Sequence, residues 1–434
     1  MLRPPATALT AALYLIVGSS CLLGGPAQPV IKIGVDLPLT GAESRAALPA
    51  LNGILYYVQR HPTIDGFNVT VSASDDSTGG LPDPVRGADN IRAFVRDPEV
   101  LAVIGPFDSN VARQEIPVAN DALLAMVSPV TSSPCLTQDT YLPAILSRAG
   151  VPVTCKDAGL PGASELHPSG INNYFRLAPT DQLQGPAAAD YLTGTLSIFR
   201  AAVISDHEAY GQALADGFST RFTRLGGSVV GRLDLDAPAD PAAFLQRMKA
   251  DHAQAIYYGG VTANRGCAVR SLMLSVFGTD AYVPFIGGDG IAEDPACVRD
   301  AGANFAGMYA TIPGVDPTGL ASAAPVIKSF TAAFPNRGDY GPYTVIAYDT
   351  AAVVYSAIDR AIRASGGGHV PPRVSVIAEL AETSRLAAVT GSLGFDANGD
   401  ATHRIISIVE SPPLDRKAPW MPVGAVDYSA ALPY

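Results

Sequence analysis

The chain has 434 residues, 48% of them hydrophobic and 16% charged, which is material for two or three cores and too much for one. A net charge of −11 argues against nucleic acid as a partner, because phosphate binding needs clustered Lys and Arg. The 42 Gly and 36 Pro are scattered between periodic segments and read as turn punctuation, and no repeat, coiled coil or amphipathic membrane helix stands out.

Residues 1–27 read as a secretory signal: Arg3, an apolar run from Ala8 to Val17, then small residues with cleavage after Ala27. The alternative is a lipoprotein, in which "GSSC" places a lipid anchor on Cys21. No later stretch approaches ~20 apolar residues, so the mature chain is expected to be soluble or only tethered, in the periplasm or on the outer face of the cytoplasmic membrane.

From Val30 a rhythm begins. "VIKIGVDLPLT" is a buried strand, "AALPALNGILYYVQRH" has helical spacing, and "FNVTVSASDD" alternates as a strand. "VRGADNIRAFVRD" (helix), "VLAVIGP" (strand), "NVARQEIPVANDA" (helix) and "LLAMVSP" (strand) continue it. Residues 137–172, rich in Pro, Gly and Ser, break the rhythm and read as a long insertion loop. "YFRLAPT" restarts it, and alternation runs on to "YVPFIGGDGI". "FAGMYATIPGV" reads as a returning strand, "AAPVIKSFTAAFPNRG" and "GPYTVIAYDTAAVVYSAIDRAIRASG" as helices, and "GSLGFDANGDATHRIISIVES" as strand, turn, strand. Strand and helix alternating without hairpin signals predict α/β architecture: parallel sheets covered on both faces, here two doubly wound, Rossmann-like lobes.

With Cys21 set aside, four cysteines remain: Cys135, Cys155, Cys267 and Cys297. An even number in an exported chain suggests two disulfides with three possible connectivities, of which sequence proximity favours Cys135–Cys155 and Cys267–Cys297. Each would contribute roughly 3 kcal/mol. No Cys-x-x-Cys pair exists, so no metal is expected.

In an open parallel sheet ligands bind beyond the carboxyl ends of the strands. "GPFDSN" and "SPVTSS" end two neighbouring strands, and Ser109, Ser132 and the amide N–H groups beside them form a donor set suited to a carboxylate. Simple helix capping explains either loop alone. In the second half, "SDHEAYGQ" puts Asp206, His207 and Tyr210 at a strand end, and "YYGGVTAN" puts Gly259, Gly260 and Thr262 at another. "IGGDGIAED" frames Asp289 with glycines, as a partner for an ammonium group or as an ordinary Asp-Gly turn.

Taken in order, "IKIGVDLPLTG", "LAVIGPFDSNVA", "MVSPVTSS", "YFRLAPTDQLQGPAAADYL", "AYGQALADGF", "AIYYGGV", "IGGDG" and "GSLGFDANGD" resemble the branched-chain amino-acid (leucine-binding type) proteins of ABC importers, the type I periplasmic binding fold. The resemblance implies two lobes closing on a ligand about three hinge crossovers. The first would be residues 30–175 plus 314–389, the second 176–313 plus 390–434. It implies a ligand carboxylate held by Ser109 and by the loop of Thr131 and Ser132, an ammonium held by Asp289, a ring at Tyr210 closing over the ligand, and Tyr343 at another aromatic position. Three departures bear on ligand identity. Asp289 is one methylene shorter than the Glu of leucine-type members, Val261 and Thr262 stand where those carry Tyr, and the 137–172 insertion follows the ligand loop directly.

The function expected is extracellular capture of a small amino acid or related carboxylate, without a cofactor, and delivery to a membrane ABC permease by a monomer. The alternative is a ligand sensor presenting its closed form to a receptor. Catalysis is not expected: G-x-G-x-x-G after a strand, G-x-x-x-x-G-K-[ST], G-x-S-x-G and H-E-x-x-H are all missing. Asp206, His207 and Glu208 could be drawn as an acid–base cluster, but adjacent loop residues seldom converge on one atom. "DANGD" lacks the downstream Glu of a calcium loop and reads as a hairpin turn.

Overall fold

The computed structural model describes residues 30–235, 239–278, 282–292, 295–302, 305–411 and 420–433. The expected signal segment, with Cys21, lies outside them.

Strands β1 (Val30–Leu37), β2 (Phe67–Asp75), β3 (Val100–Ile104), β4 (Ala125–Ser128) and β5 (Tyr174–Arg176) form a parallel sheet in the order β5-β4-β3-β1-β2, with the short strand Thr63–Ile64 on its outer edge. Strands β6 (Arg200–Ser205), β7 (Ser228–Asp234), β8 (Ala255–Gly259), β9 (Phe285–Gly287), β10 (Met308–Pro313), β11 (Ile405–Glu410) and β12 (Met421–Asp427) form a second, in the order β7-β6-β8-β9-β10-β11-β12. It is parallel as far as β10 and antiparallel beyond. The principal helices are α1 (Ser44–Arg60), α2 (Pro84–Arg96), α3 (Ser109–Asp121), α4 (Gln184–Gly194), α5 (Ala209–Arg224), α6 (Pro241–Ala250), α7 (Gly266–Phe277), α8 (Ala323–Ala333), α9 (Thr344–Ala364) and α10 (Arg373–Ala381).

The strands are apolar on both faces because both faces are covered. Ala102 and Ile104 of β3 and Ala125 and Val127 of β4 pack with α1, α9 and α10, whereas Val103 and Met126 turn the other way onto α2 and α3. In the second sheet Ile204, Ile256 and Phe285 face α6 and α7, while Val203, Tyr257 and Ile286 face α4 and α5. The chain passes from one sheet to the other three times: after β5, after β10 and before β11. The last two passages lie side by side, Gly314 N–H donating to Ile405 O at 2.9 Å.

Two elements exceed the sequence expectation. Helix α10 carries no long periodic run, and β12 extends the second sheet beyond β11. The "DANGD" stretch is also not one strand pair in one sheet. Phe395 belongs to the first sheet's core, Phe395 and Ala401 form an isolated bridge, and only β11 joins the second sheet. The division between the halves therefore falls after the turn instead of at residue 390. Asp396 accepts from Asn398 N–H, Asp400 N–H and Arg404, so its carboxylate is committed to the turn.

The disulfides are Cys135–Cys155 and Cys267–Cys297. The first pins a segment that is not structureless: Thr140–Leu142 pairs with Val153–Thr154, and Ala163–Leu166 is a short helix. Both are too short for a periodic signal. Tyr141 and the Cys135–Cys155 pair pack against Ala209 and Ala213 of α5, and Thr220 donates to Leu146 O at 3.0 Å. The insertion thus leaves the first sheet and rests on a helix of the second.

Candidate functional site

Gly105 ends β3 with a φ of +130°, and a Cβ there would stand 2.1 Å from Asp36 O, so the "GPFDSN" loop requires glycine at its start. Asp108 then caps α3, accepting from Asn110 N–H at 2.6 Å and Val111 N–H at 3.2 Å. This corrects the sequence picture of a free amide cradle: a carboxylate of the chain already fills most of the helix terminus. Ser109, half-buried, keeps its hydroxyl without a protein partner among the described residues.

In the "SPVTSS" loop, Ser128 Oγ accepts from Val130 and Thr131 N–H at 3.2 and 3.0 Å, which curls the chain at once after β4. The two hydroxyls expected to act together then separate. Thr131 is 1% exposed and pairs with the Tyr174 hydroxyl inside the first half, whereas Ser132 is half-buried and its hydroxyl meets the carboxylate of Asp181. The loop is held from behind by Arg176, fully buried, which donates to Ser133 O (2.6 Å), Thr137 Oγ1 (2.6 Å) and Asp400 Oδ1 (2.7 Å).

Asp181 opens a polar chain that crosses from the first sheet's loops to the second sheet. Gln184, at the start of α4, donates through Nε2 to Asp181 Oδ1 at 2.8 Å and to Asp289 Oδ1 at 2.9 Å. Its Oε1 accepts from Asp289 N–H at 3.0 Å and Thr311 Oγ1 at 2.8 Å, which fixes the orientation of the amide. Tyr210 donates its hydroxyl to the same Asp289 oxygen. Asp181, Tyr210 and Asp289 are each half-buried, so solvent reaches the group.

Burial, then the charge of Asp289, pushes the Asp181 carboxyl up to about 7. Burial raises Asp289 also, against the opposing hydrogen bonds from Tyr210 and Gln184. Two desolvated carboxylates leaning on one amide form a site for positive charge. Arg113, one helical turn beyond Ser109, sits between the loops: it donates to Asn110 Oδ1 and to Ser133 Oγ (3.4 Å), and its buried Nε has no partner. That guanidinium brings a positive charge within electrostatic reach of Asp181.

The remaining expected residues fall elsewhere. Thr262 is 3% exposed and donates to Gly290 O at 3.3 Å, bracing the Asp289 turn. Tyr343 stacks edge-to-face on Phe107 at 5.3 Å and lines an apolar cavity of about 450 Å³ along the Pro313–Val315 crossover, together with Pro129, Val130, Ile312 and Trp420. The Asp206–His207–Glu208 cluster does not converge. Asp206 accepts from Val261 N–H (3.2 Å) and Asn264 (3.0 Å) and ties two loops together, while His207 turns toward Gln212. Sequence reasoning missed Arg113, Asp181 and Gln184. The only signals were the four-residue spacing of Arg113 from Ser109 and the position of "TDQLQ" just past a strand end.

Two doubly wound sheets, three crossovers and a charged polar junction between them define a two-lobed solute-binding protein of the type I periplasmic fold. The chain belongs to the periplasmic binding protein family, whose model matches residues 30–411. It is 26% identical over 389 residues to the Leu/Ile/Val-binding protein homolog 2 of Brucella abortus, covering 87% of this chain and 89% of the relative. It is 24% identical over 395 residues to an amino acid binding protein of Pseudomonas aeruginosa, covering 89% and 92%. Among solved structures it resembles an ABC transporter substrate-binding protein of Desulfitobacterium hafniense in complex with Leu, with a TM-score of 0.68, 18% identity and coverage of 91% and 100%. It also resembles a Rhodopseudomonas palustris solute-binding protein in complex with 4-hydroxybenzoate, with a TM-score of 0.64, 17% identity and coverage of 92% and 97%. The chain is a binding protein and not an enzyme. No helix among the described residues is long and apolar enough to cross a membrane.

Proposed function

We propose that this chain captures a small amino acid or a related carboxylate between its two lobes and delivers it to an ABC importer in the membrane. The observation that carries the reading is Gln184 bridging Asp181 and Asp289, which sets two raised carboxyls beside each other at the junction of the sheets. A ligand ammonium placed there is held by opposite charge and lets both carboxylates ionise. Arg113 and Ser109 supply donors for the ligand carboxylate, while the Ser132 hydroxyl stays with Asp181. Tyr210 and Tyr343 close over the ligand, Thr262 acts through the Asp289 turn, and Thr131 serves the loop and not the ligand. The reading includes export with removal of residues 1–27, or a lipid on Cys21, and action as a monomer.

The test is a thermal-shift panel of amino acids, amides and organic acids on protein freed of carried-in ligand, followed by uptake of the labelled hit by cells with and without the chain. A stabilising amino acid whose uptake needs the chain is the expected result. Stabilisation with no effect on uptake would sink the delivery half of the proposal, and a panel on which only amine-free acids act would sink the ligand half.

A further inference from the structure

Away from that junction, three carboxyl groups from separate segments converge: Asp36 in β1, Asp76 just past β2 and Glu115 on α3. All three are 0% exposed, and one oxygen from each lies within 4.8 Å of the others. Asn90 Nδ2 donates to Asp36 Oδ1 at 2.8 Å. Asp36 Oδ2 and both oxygens of Asp76 and of Glu115 have no hydrogen-bond partner.

A proton shared between Asp36 and Glu115 would join those two. It would leave Asp76, fully buried and turned toward the pair, with two oxygens and no donor for either. Buried polar groups are otherwise almost always satisfied, so this orphan points to something the protein itself does not supply. The surroundings do not supply it: Asp75, Asp108 and Glu43 add negative charge, which Arg86 opposes at Asp36. Gly87 of α2 packs closely on the cluster: a Cβ there would stand 2.5 Å from Glu115 Oε1.

We propose that Asp36, Asp76 and Glu115 bind one hard divalent cation of the calcium, manganese or magnesium class. Carboxylate oxygens without thiol or imidazole select such ions over zinc. The sequence gives no spacing signal because the ligands are spread over residues 36, 76 and 115 and meet only in the fold. Burial, with the charges of Asp36 and Asp75, pushes Asp76 up to about 8, and burial and the charge of Asp36 raise Glu115 well above its usual range. The ion would tie β1, the end of β2 and α3 together, and α3 is the helix that carries Ser109 and Arg113.

The test is calorimetric titration of chelator-stripped protein with Ca²⁺, Mn²⁺ and Mg²⁺ at pH 7.5, with melting curves alongside. One saturable site per chain is expected for at least one ion, with a raised Tm. Asp76→Asn and Glu115→Gln should abolish the site. The exposed Asp89→Asn should bind like the parent. No saturable binding by the parent up to millimolar ion would overturn the proposal, as would equal binding by Asp76→Asn; if neither variant folds, the parent titration decides alone.

Discussion

Asp181 and Asp289 accept hydrogen bonds from the same nitrogen, Gln184 Nε2, at 2.8 and 2.9 Å. One neutral amide thus holds together two groups that would repel as carboxylates. The arrangement is stable with a proton on the pair and becomes favourable for two charges once a cation enters. The acid at the end of the β9 strand was visible in the sequence; its partnership with Asp181 was not.

Replacing either acid should therefore weaken amino-acid binding with little loss of fold. A hydrogen bond to a charged group is worth about 1.5–3 kcal/mol, so Asp289→Asn and Asp181→Asn should each weaken affinity roughly 10- to 150-fold by calorimetry. The double variant should lose less than the sum, because the two share Gln184.

Affinity should depend on pH with a definite sign. Asp181 is raised to about 7, and a bound ammonium would favour its ionised form, lowering that value. Binding then releases a proton, so affinity falls as pH drops through 7, by at most about tenfold per unit for one proton. Titrations in buffers of different ionisation enthalpy should show the release directly. A pH-independent affinity between 5 and 8 would remove Asp181 from the site.

Arg113 should matter for the other end of the ligand. Arg113→Gln should weaken binding of carboxylate ligands about tenfold or more, and leave that of the corresponding amides nearly unchanged. Its Nε has no hydrogen-bond partner, so the variant gives up only the bonds to Asn110 and Ser133 and the melting temperature should fall modestly.

The Arg176–Asp400 pair is a matter of stability and not of ligand. Arg176 is 0% and Asp400 4% exposed, and Asp400 also accepts from Thr137 (2.8 Å) and Gln138 (2.7 Å). Removing one partner leaves the other charged and buried, so Arg176→Met should cost about 3–5 kcal/mol in denaturant unfolding. A cost below about 1 kcal/mol would show that the insertion and the "DANGD" turn do not depend on the pair.

The sequence showed well what depends on period. Strands such as β3 and β4, apolar on both faces, and long helices such as α9 gave clear signals, and with them the parallel sheets and the two halves. Cys135–Cys155 and Cys267–Cys297 followed from proximity. The failures are those of direction and distance. Thr131 and Ser132 are neighbours in one loop, yet one turns inward to Tyr174 and the other outward to Asp181. Nothing in a one-dimensional pattern separates them. Gln184 and Asp289 are 105 positions apart, and their contact exists only once α4 lies against the end of β9. The cation cluster is invisible for the same reason.

The most direct test of the account compares an amino-acid ligand with its deaminated analogue, identical but for hydrogen in place of the ammonium, by calorimetry at pH 7.5. If Asp181 and Asp289 hold the ammonium, the analogue binds at least about tenfold more weakly, and Asp289→Asn narrows the gap. Equal or tighter binding of the analogue would contradict the account and assign the junction to an uncharged group.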